Sequence, residues 1–452
     1  MIELLNRIEN RLKFRPSYYL LFAILNGAVL MNFHNYLFKH SIGIVFLFCF
    51  VIYTIYKPKN WISVIGSCLF SVYYLLDFFP RIGNHSSIIL FTSLTILLLF
   101  IFKLFSKKEV LNSKLLAYFF RIFTVTVYFY TGFHKLNTDY FNTCVSCVNE
   151  INEYTLSNIF GFPIKIGDSL SRFFQIIALI VECIVPFGIM HYKTRSYSVL
   201  LLLLFHSYLS LSVFADFSAV GLFLLLGCFI DFEENSFSKK TIFYIRLYLI
   251  MIMISVISPI FLSRISVQTS VFPFIKGFIF LVGYLSFFIY FFRNHDAKRY
   301  SFRRSYFMPL FILCISISFW TLKGYIGLGN AGNLTMFSNL VTEKSMNNHL
   351  LIDTKKTKLF NFEEDNVYII KMDNPNIKEN YTGYKLPIVE FRFLVNYWSK
   401  NFDKPIPCIL VYKNKKYTFK DIKTSEFKNS KWWYKYLNFR KIQTTSPNEC
   451  RW

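Results

Sequence analysis

Acidic side chains are scarce in this sequence. It has 26 Asp and Glu against 50 Lys and Arg, which leaves a formal charge of +24. Such an excess could serve nucleic acid. Here, however, the basic residues sit in short clusters between apolar runs, the pattern of cytoplasmic loops in membrane proteins. Nucleic acid is therefore not an expected partner. Other absences narrow the reading further. The first fifteen residues are basic and amphipathic, with no small-residue cleavage site behind a short apolar core, so no cleavable signal peptide is expected. No HxxxH or HxxE spacing supports a metal site around the histidines, and none is expected. Cys144-Val-Ser-Cys147 has no second CxxC and no thioredoxin-like βαβ pattern beside it. The glycine-rich stretch 323–332 is not a phosphate loop, because no strand precedes it and no GK[ST] follows. No internal repeat is visible.

Apolar side chains are plentiful. The 452 residues are 54% hydrophobic, with 55 Phe and 30 Tyr, and the mean hydropathy is +0.39. That is the composition of a polytopic membrane protein, not of a soluble domain. Apolar runs fall at 17–38, 42–56, 61–80, 87–105, 115–133, 173–190, 197–214, 217–231, 241–262, 271–292 and 306–322. We expect an all-α membrane bundle over 17–325 with about 9–11 hydrophobic spans of roughly 20 residues. The short runs 42–56 and 217–231 suit re-entrant segments. Residues 1–16, with Arg7, Arg11, Lys13 and Arg15, read as a helix lying on the membrane surface.

Charge gives the orientation. With a cytoplasmic N-terminus, the inner segments hold clusters such as Lys107, Lys108 and Lys114, or Arg293, Lys298, Arg299, Arg303 and Arg304. The outer loops between spans hold only Lys39, Arg81, Lys135, Lys165, Arg172 and Arg264. This alternation places the 134–172 loop, and everything after residue 323, outside the cytoplasm. Within 134–172, Phe160-Gly-Phe-Pro163 breaks a short interfacial helix.

From residue 333 to 452 the composition turns polar, and we expect a small extracytoplasmic α+β domain. Asn366 to Lys371 reads as a strand, and Leu386 to Lys400 as a helix opening at Leu-Pro. Ile406–Tyr412 and Lys416–Lys420 flank Lys413-Asn414-Lys415 as a hairpin. Cys49, Cys68, Cys183, Cys228 and Cys314 lie in apolar runs and read as small core residues. Cys144 and Cys147 read as an extracytoplasmic thiol or disulfide, and Cys408 and Cys450 are candidates to pair with each other.

The chemistry concentrates at Tyr128–Tyr140. His134 and Lys135 leave the apolar run 115–133 directly, and Asp139 follows about a turn later. Ionisable groups at the edge of a hydrophobic span are costly and suggest a functional site. The plainer alternative is a lysine that snorkels to the headgroups. Asp77, Arg121, Glu182, His206, Arg246 and Lys276 lie inside apolar runs, where buried ion pairs between spans are the structural alternative. His206 is the best site candidate of these, because neutral imidazole enters a membrane easily and moves protons at neutral pH. The topology brings His134, Lys135, Asp139, His206 and Asp216 towards one side.

The stretch Tyr130-Thr-Gly-Phe-His-Lys-Leu-Asn-Thr-Asp-Tyr140 resembles the Gly-x-x-Lys-Leu-(Asp/Asn)-x-Asp-aromatic motif of the HTTM (horizontally transferred transmembrane) family. That family includes the vitamin K-dependent γ-carboxylase. Phe205-His206 is similar to the family's second histidine-bearing segment. Thr335-Met-Phe-Ser-Asn-Leu340, Asn348-His-Leu350 and the Phe-Arg-x-Ile…Cys-x-Trp end are similar to bacterial members. The resemblance implies a bacterial cytoplasmic-membrane protein and assigns Lys135 as the base that deprotonates a reduced, vitamin K-like quinone. O2 then adds, and the resulting alkoxide removes a γ-proton from a peptide glutamate, which captures CO2. His206 would assist. His134 stands where the eukaryotic carboxylase has a second lysine. A membrane-edge pocket suits this chemistry, since lipid-borne quinone and aqueous peptide meet there. The expected partners are membrane lipid and a secreted peptide or protein. The rival readings are a maturation factor for a secreted peptide without carboxylation, and a non-enzymatic membrane protein.

Overall fold

The computed structural model describes residues 16–33, 42–57, 61–79, 82–105, 113–211, 215–229, 239–263, 272–293, 304–372, 381–448 and 450. The expected surface helix over 1–16 lies almost wholly outside the described residues.

Each apolar run folds as a helix. In chain order these are α1 (Pro16–Phe33), α2 (Ile42–Tyr56), α3 (Trp61–Phe78), α4 (Asn84–Phe105) and α5 (Ser113–Phe133). A single turn, Thr138–Phe141, and α6 (Cys147–Phe160) fill the loop that follows. Then come α7 (Asp168–Cys183), α8 (Arg195–Leu209), α9 (Ala215–Gly227), α10 (Lys239–Ser263), α11 (Phe272–Arg293) and α12 (Phe307–Ile326). Among the described residues, four stretches are long and apolar enough to cross a membrane: Asn84–Ile101, Lys114–Phe133, Asp168–Ile189 and Phe307–Ile326. That is fewer than the 9–11 spans expected from hydropathy. The apolar cores Val64–Leu76, Phe217–Gly227, Ile242–Ser255 and Gly277–Ile289 are too short to meet the same measure.

Helix α5 is the hub. It packs against α7, α9 and α12. Of its Lys114–Phe133 stretch 72% is buried, against 28% of Asp168–Ile189 and 33% of Phe307–Ile326, so α5 is central and the other two are peripheral. Helix α7 shows what kind of periphery this is. Ser171, Gln175, Ala178 and Glu182 face inward at helical spacing, while Phe173, Ile176, Ile177 and Ile180 are exposed. A helix in water has the opposite polarity.

The C-terminal region builds a four-stranded antiparallel sheet in the order β2-β1-β3-β4. Its strands are β1 (Asn366–Met372), β2 (Lys385–Pro387), β3 (Cys408–Tyr412) and β4 (Lys415–Phe419), and α13 (Ile388–Asn401) covers it. The β3–β4 hairpin closes at Lys413 and Asn414, both with left-handed φ (48° and 61°), as a two-residue turn that follows the strand twist requires. Phe391, Val395, Leu410 and Phe427 are fully buried between helix and sheet. Full burial of such a side chain stabilises by about 1.5–3 kcal/mol.

Between bundle and sheet runs a strap, residues 327–349. Its start is set by glycine. Gly327 caps α12 at φ 87°, and a Cβ there would strike the Phe360 carbonyl. One on Gly329 would strike the carbonyl of Leu437. Leu334 and Met336 are buried in the bundle's core, whereas the sheet has a separate core beginning at Val367. The strap pairs with the loop after α5: Thr138 donates its N–H to Asn348 O (3.0 Å), and Leu350 to Leu136 O (2.9 Å). A disulfide, Cys147–Cys450, ties α6 to the chain end. The expected pairing of Cys408 with Cys450 is corrected. Cys408 is a buried free thiol on β3, where it lines the sheet's core, and Cys144 is free and exposed. Burial pushes the Cys408 thiol up to about 12.

Candidate functional site

The site begins with a glycine. Gly132, in the last turn of α5, faces the last turn of α7. A Cβ there would strike Cys183 Sγ and come within 3.1 Å of Glu182 Cβ and 3.2 Å of the Cys183 backbone nitrogen. The missing side chain lets α5 and α7 meet at their ends, and Glu182 thereby reaches Lys135. Lys135 Nζ donates to Glu182 Oε2 at 2.6 Å, to Met336 O at 3.0 Å and to Thr131 O at 3.3 Å. Both partners of the pair are buried, Lys135 at 3% exposure and Glu182 at 9%. The lysine therefore does not snorkel outward. Asp139, the expected neighbour, turns instead to the chain end and accepts from the Asn448 N–H at 3.0 Å.

Lys135 is held from above by the strap, and so is His134. His134 Nδ1 donates to Leu334 O at 3.1 Å, which fixes the tautomer and leaves Nε2 as a lone-pair acceptor. Nε2 is buried and has no partner among the described residues. Leu334 (φ 62°) and Phe337 (φ 49°) hold left-handed backbone around these two carbonyls. Side chains with a Cβ rarely adopt that conformation, and it clusters at functional sites. Burial holds the His134 imidazole down to about 3; the Leu334 bond opposes this, and the charges of His349 and Lys135 add to it. The Tyr325 ring lies 5.7 Å from His134, and its buried hydroxyl has no partner among the described residues. His349 Nε2 donates to Phe133 O at 3.2 Å, while its Nδ1 accepts from the Leu351 and Ile352 N–H groups at 3.1 Å each. Burial lowers this imidazole as well.

His206 belongs to a different part of the same seam. It hydrogen-bonds the Tyr128 hydroxyl through Nε2 and stacks on Tyr284 at 5.8 Å, while its Nδ1 has no partner among the described residues. Gly221 on α9 makes room: a Cβ there would come within 3.0 Å of the ring. Tyr128 lies on α5 and Lys135 in the turn just beyond its end. Thr131 stands between them, its hydroxyl donating to Tyr128 O at 2.8 Å. The structure thus holds His134 and Lys135 under the strap and sets His206, on α8, against Tyr128 instead.

Comparison of the chain with protein-family models, with curated proteins and with solved structures finds no match. The site therefore rests on its own geometry. No group of three His, Cys, Asp or Glu side chains among the described residues is placed to hold a metal ion.

The remaining polar residues of the apolar runs divide. Arg121 donates to Cys228 O at 2.9 Å and lies over Tyr118, so it links α5 to the end of α9. Arg246 donates to Tyr56 O at 2.9 Å and ties α10 to α2. The side chains of Asp77, Asp216 and Lys276 lie outside the described residues. Sequence reasoning weighed Glu182 as an ion-pair residue but did not give it Lys135 as partner. It missed Thr131, Tyr128, Tyr325 and the Met336 carbonyl. A usable signal existed on α7, where Gln175 and Glu182 stand seven residues apart in the otherwise apolar stretch 173–183. Gln175 is buried, and its amide has no partner among the described residues. Tyr140 donates its hydroxyl to the Gln175 carbonyl at 2.9 Å.

Proposed function

We propose that the chain is a multi-pass membrane enzyme of the γ-carboxylase-like kind, in which Lys135 takes a proton from a reduced quinone. The observation that carries this reading is the buried Lys135–Glu182 pair at the closed end of a body whose outer helix faces are apolar. In a dry seam, both charges of such a pair have lost their water. The neutral arrangement, with the proton on Glu182 and a free amine on Lys135, is then closer in energy to the ion pair than in solution. Glu182 can therefore store the proton that Lys135 must lose before it acts as a base. His134 Nε2 and the Tyr325 hydroxyl are an acceptor and a donor left open beside Phe133 and His349. They suit a hydroxylated aromatic head, the chemistry of a reduced quinone. When bound, that group supplies the acidic hydroxyl and, with O2, the strong base that fixing CO2 on a peptide glutamate requires. The tail after residue 327 and the 134–172 loop belong outside the cytoplasm in this reading, in keeping with the alternation of basic loops and with the Cys147–Cys450 disulfide.

The test is turnover of reduced quinone to its epoxide by purified protein. Lys135→Ala is expected to abolish it. Lys135→Arg is expected to do the same while keeping the ion pair, because guanidinium does not release its proton. Full epoxide formation by Lys135→Arg would sink the assignment. One observation favours a second reading: the ammonium has three acceptors for its three hydrogens, as a purely structural tie would. A non-carboxylating maturation factor for a secreted peptide would then process its peptide without quinone turnover, and would tolerate arginine at 135.

A further inference from the structure

The polar tail after residue 327 exposes little large apolar surface, and what it exposes is not scattered. Seven large apolar side chains stand exposed among its described residues, and all but Ile370 lie where the tail meets the end of a bundle helix. Leu350 and Leu351 follow His349 at the end of α5, where Leu350 donates its N–H to Leu136 O at 2.9 Å. Leu359 and Phe360 hang from the end of α12, where both donate to Ile326 O, at 3.2 and 3.1 Å. Trp432 and Tyr436 stand at the end of α3. Tyr436 packs on Phe79, one residue past that helix, at 5.2 Å, and Phe79 packs on Trp320 of α12 at 5.9 Å. Rings connect the last two groups. Phe360 stacks on Phe362, Phe362 meets Trp433 at 6.0 Å, and Trp432 lies 6.2 Å from Tyr436. Leu351 is 69% exposed, Leu359 76% and Trp432 79%, so the fold itself does not cover them.

Lysines accompany this collar. Lys355 and Lys356 are exposed in the turn Thr354–Thr357, which is tied to α12 by the Thr357 hydroxyl donating to Tyr325 O at 3.0 Å. Lys356 has Asp353 at 3.9 Å. Lys428 and Lys431 are exposed before Trp432, Lys435 follows it, and residues 427–441 contain no acidic side chain. Grouped exposed apolar side chains mark a contact surface. The helix ends indicate what it contacts. Helices α3, α5 and α12 are the third, fifth and eleventh apolar runs, so in an alternating chain all three end on the same side. The Phe307–Ile326 stretch of α12 is only 33% buried, and the collar continues its open apolar surface past the helix end.

We propose that the collar rests in the headgroup layer of the membrane and binds anionic glycerophospholipids there. Trp432, Tyr436, Leu359 and Phe360 sit at the boundary of the acyl chains, and Lys355, Lys428, Lys431 and Lys435 meet the lipid phosphates. Tryptophan and tyrosine suit that boundary because one end of the ring system is apolar and the other polar. A lysine stem crosses the same boundary and leaves its ammonium at the phosphates. A zwitterionic headgroup carries its own cation and leaves the lysines unbalanced, whereas an anionic one balances them. A protein partner is a poorer fit, since the exposed groups are distributed over three helix ends. The proposal rests on the membrane reading of the bundle, and the quinone chemistry has no part in it.

The test uses the full chain in lipid nanodiscs. Tryptophan emission is followed while phosphatidylcholine brominated near the headgroup end of its acyl chains replaces the plain lipid, and then while brominated phosphatidylglycerol does. Trp432→Phe isolates one ring among six tryptophans. The wild type is expected to show a quenched component that Trp432→Phe lacks, and phosphatidylglycerol to quench it at a lower mole fraction than phosphatidylcholine. Replacing both Lys431→Gln and Lys435→Gln is expected to remove that preference, each lysine being worth about fivefold. Alkaline extraction of native membranes separates the two ways to fail. Release of the protein by alkali overturns the membrane reading and the collar together. Retention of the protein, with a Trp432 component that brominated lipid leaves unquenched, overturns the collar alone and gives the surface to a protein partner. Equal quenching by the two lipids in the wild type overturns the choice of an anionic headgroup.

Discussion

A lysine ammonium has three hydrogens, and Lys135 has three acceptors in reach, one of them charged. Removing either member of a buried pair strands the other, at a cost of about 3–5 kcal/mol, whereas replacing both by apolar residues is often neutral. Lys135→Met and Glu182→Leu are therefore each expected to lower the unfolding midpoint in detergent, and the double variant to recover most of the loss. Additive losses would mean that the two do not interact. His134 gives a pH signature. Its folded value of about 3 lies below the ordinary 6.5, so between those limits the unfolded chain binds a proton that the fold refuses. Its stabilisation is complete above pH 6.5 and is lost as pH falls towards 3, by up to about 1.4 kcal/mol per unit. His349, also lowered by burial, adds in the same direction. Midpoints measured from pH 7.5 to 5 should fall less steeply in His134→Asn, which keeps a donor for Leu334 O. Equal slopes would show that the imidazole is not held neutral. The sequence made Lys135 and His134 legible because charge directly after an apolar run is a local signal. Glu182 as partner was not legible, since 47 residues separate it from Lys135 and only the fold closes that distance.

Elements repeat the same division. The hairpin at Lys413-Asn414 and the helix after Leu386-Pro387 were legible, because turn chemistry and periodicity are short-range. Strand β2 was not: its three residues, Lys385–Pro387, carry no alternation and are extended only because β1 pairs with them. The strap was read as a glycine-rich link followed by the start of a soluble domain. Its path into the bundle's core through Leu334 and Met336 depends on contacts with α5 and α12 that no local pattern encodes. The α5–α7 contact shows how an element-level feature hangs on one residue. Gly132→Ala adds a methyl where Cys183 and Glu182 already stand, so one helix end must move. We expect a loss of about 1–3 kcal/mol from overpacking and a weakened Lys135–Glu182 bond. In this background Glu182→Leu should cost less than it does in the wild type. A full, undiminished cost would show that the helices absorb the methyl without separating.

At the scale of the molecule, the alternation of basic loops and the fold make the same statement in different terms. Charge alone assigned the 134–172 loop and the tail to one side, although residues 173–323 lie between them. In the structure they are one assembly, joined by the Asn137–His349 bridge, by Asn339 donating to Val145 O at 2.8 Å, and by the Cys147–Cys450 disulfide. On the proposed membrane reading, which side that assembly faces is the remaining step, and Cys144 measures it. It is a free, exposed thiol three residues before Cys147, so its accessibility reports the loop and the tail together. A membrane-impermeant maleimide applied to intact cells is expected to label the wild type and not Cys144→Ser. After mild reduction from outside, two further thiols, Cys147 and Cys450, should react. Labelling of Cys144 only after permeabilisation would turn the whole assembly inward. It would also remove the oxidising compartment that the disulfide implies, and the outer-side entry for a secreted peptide with it.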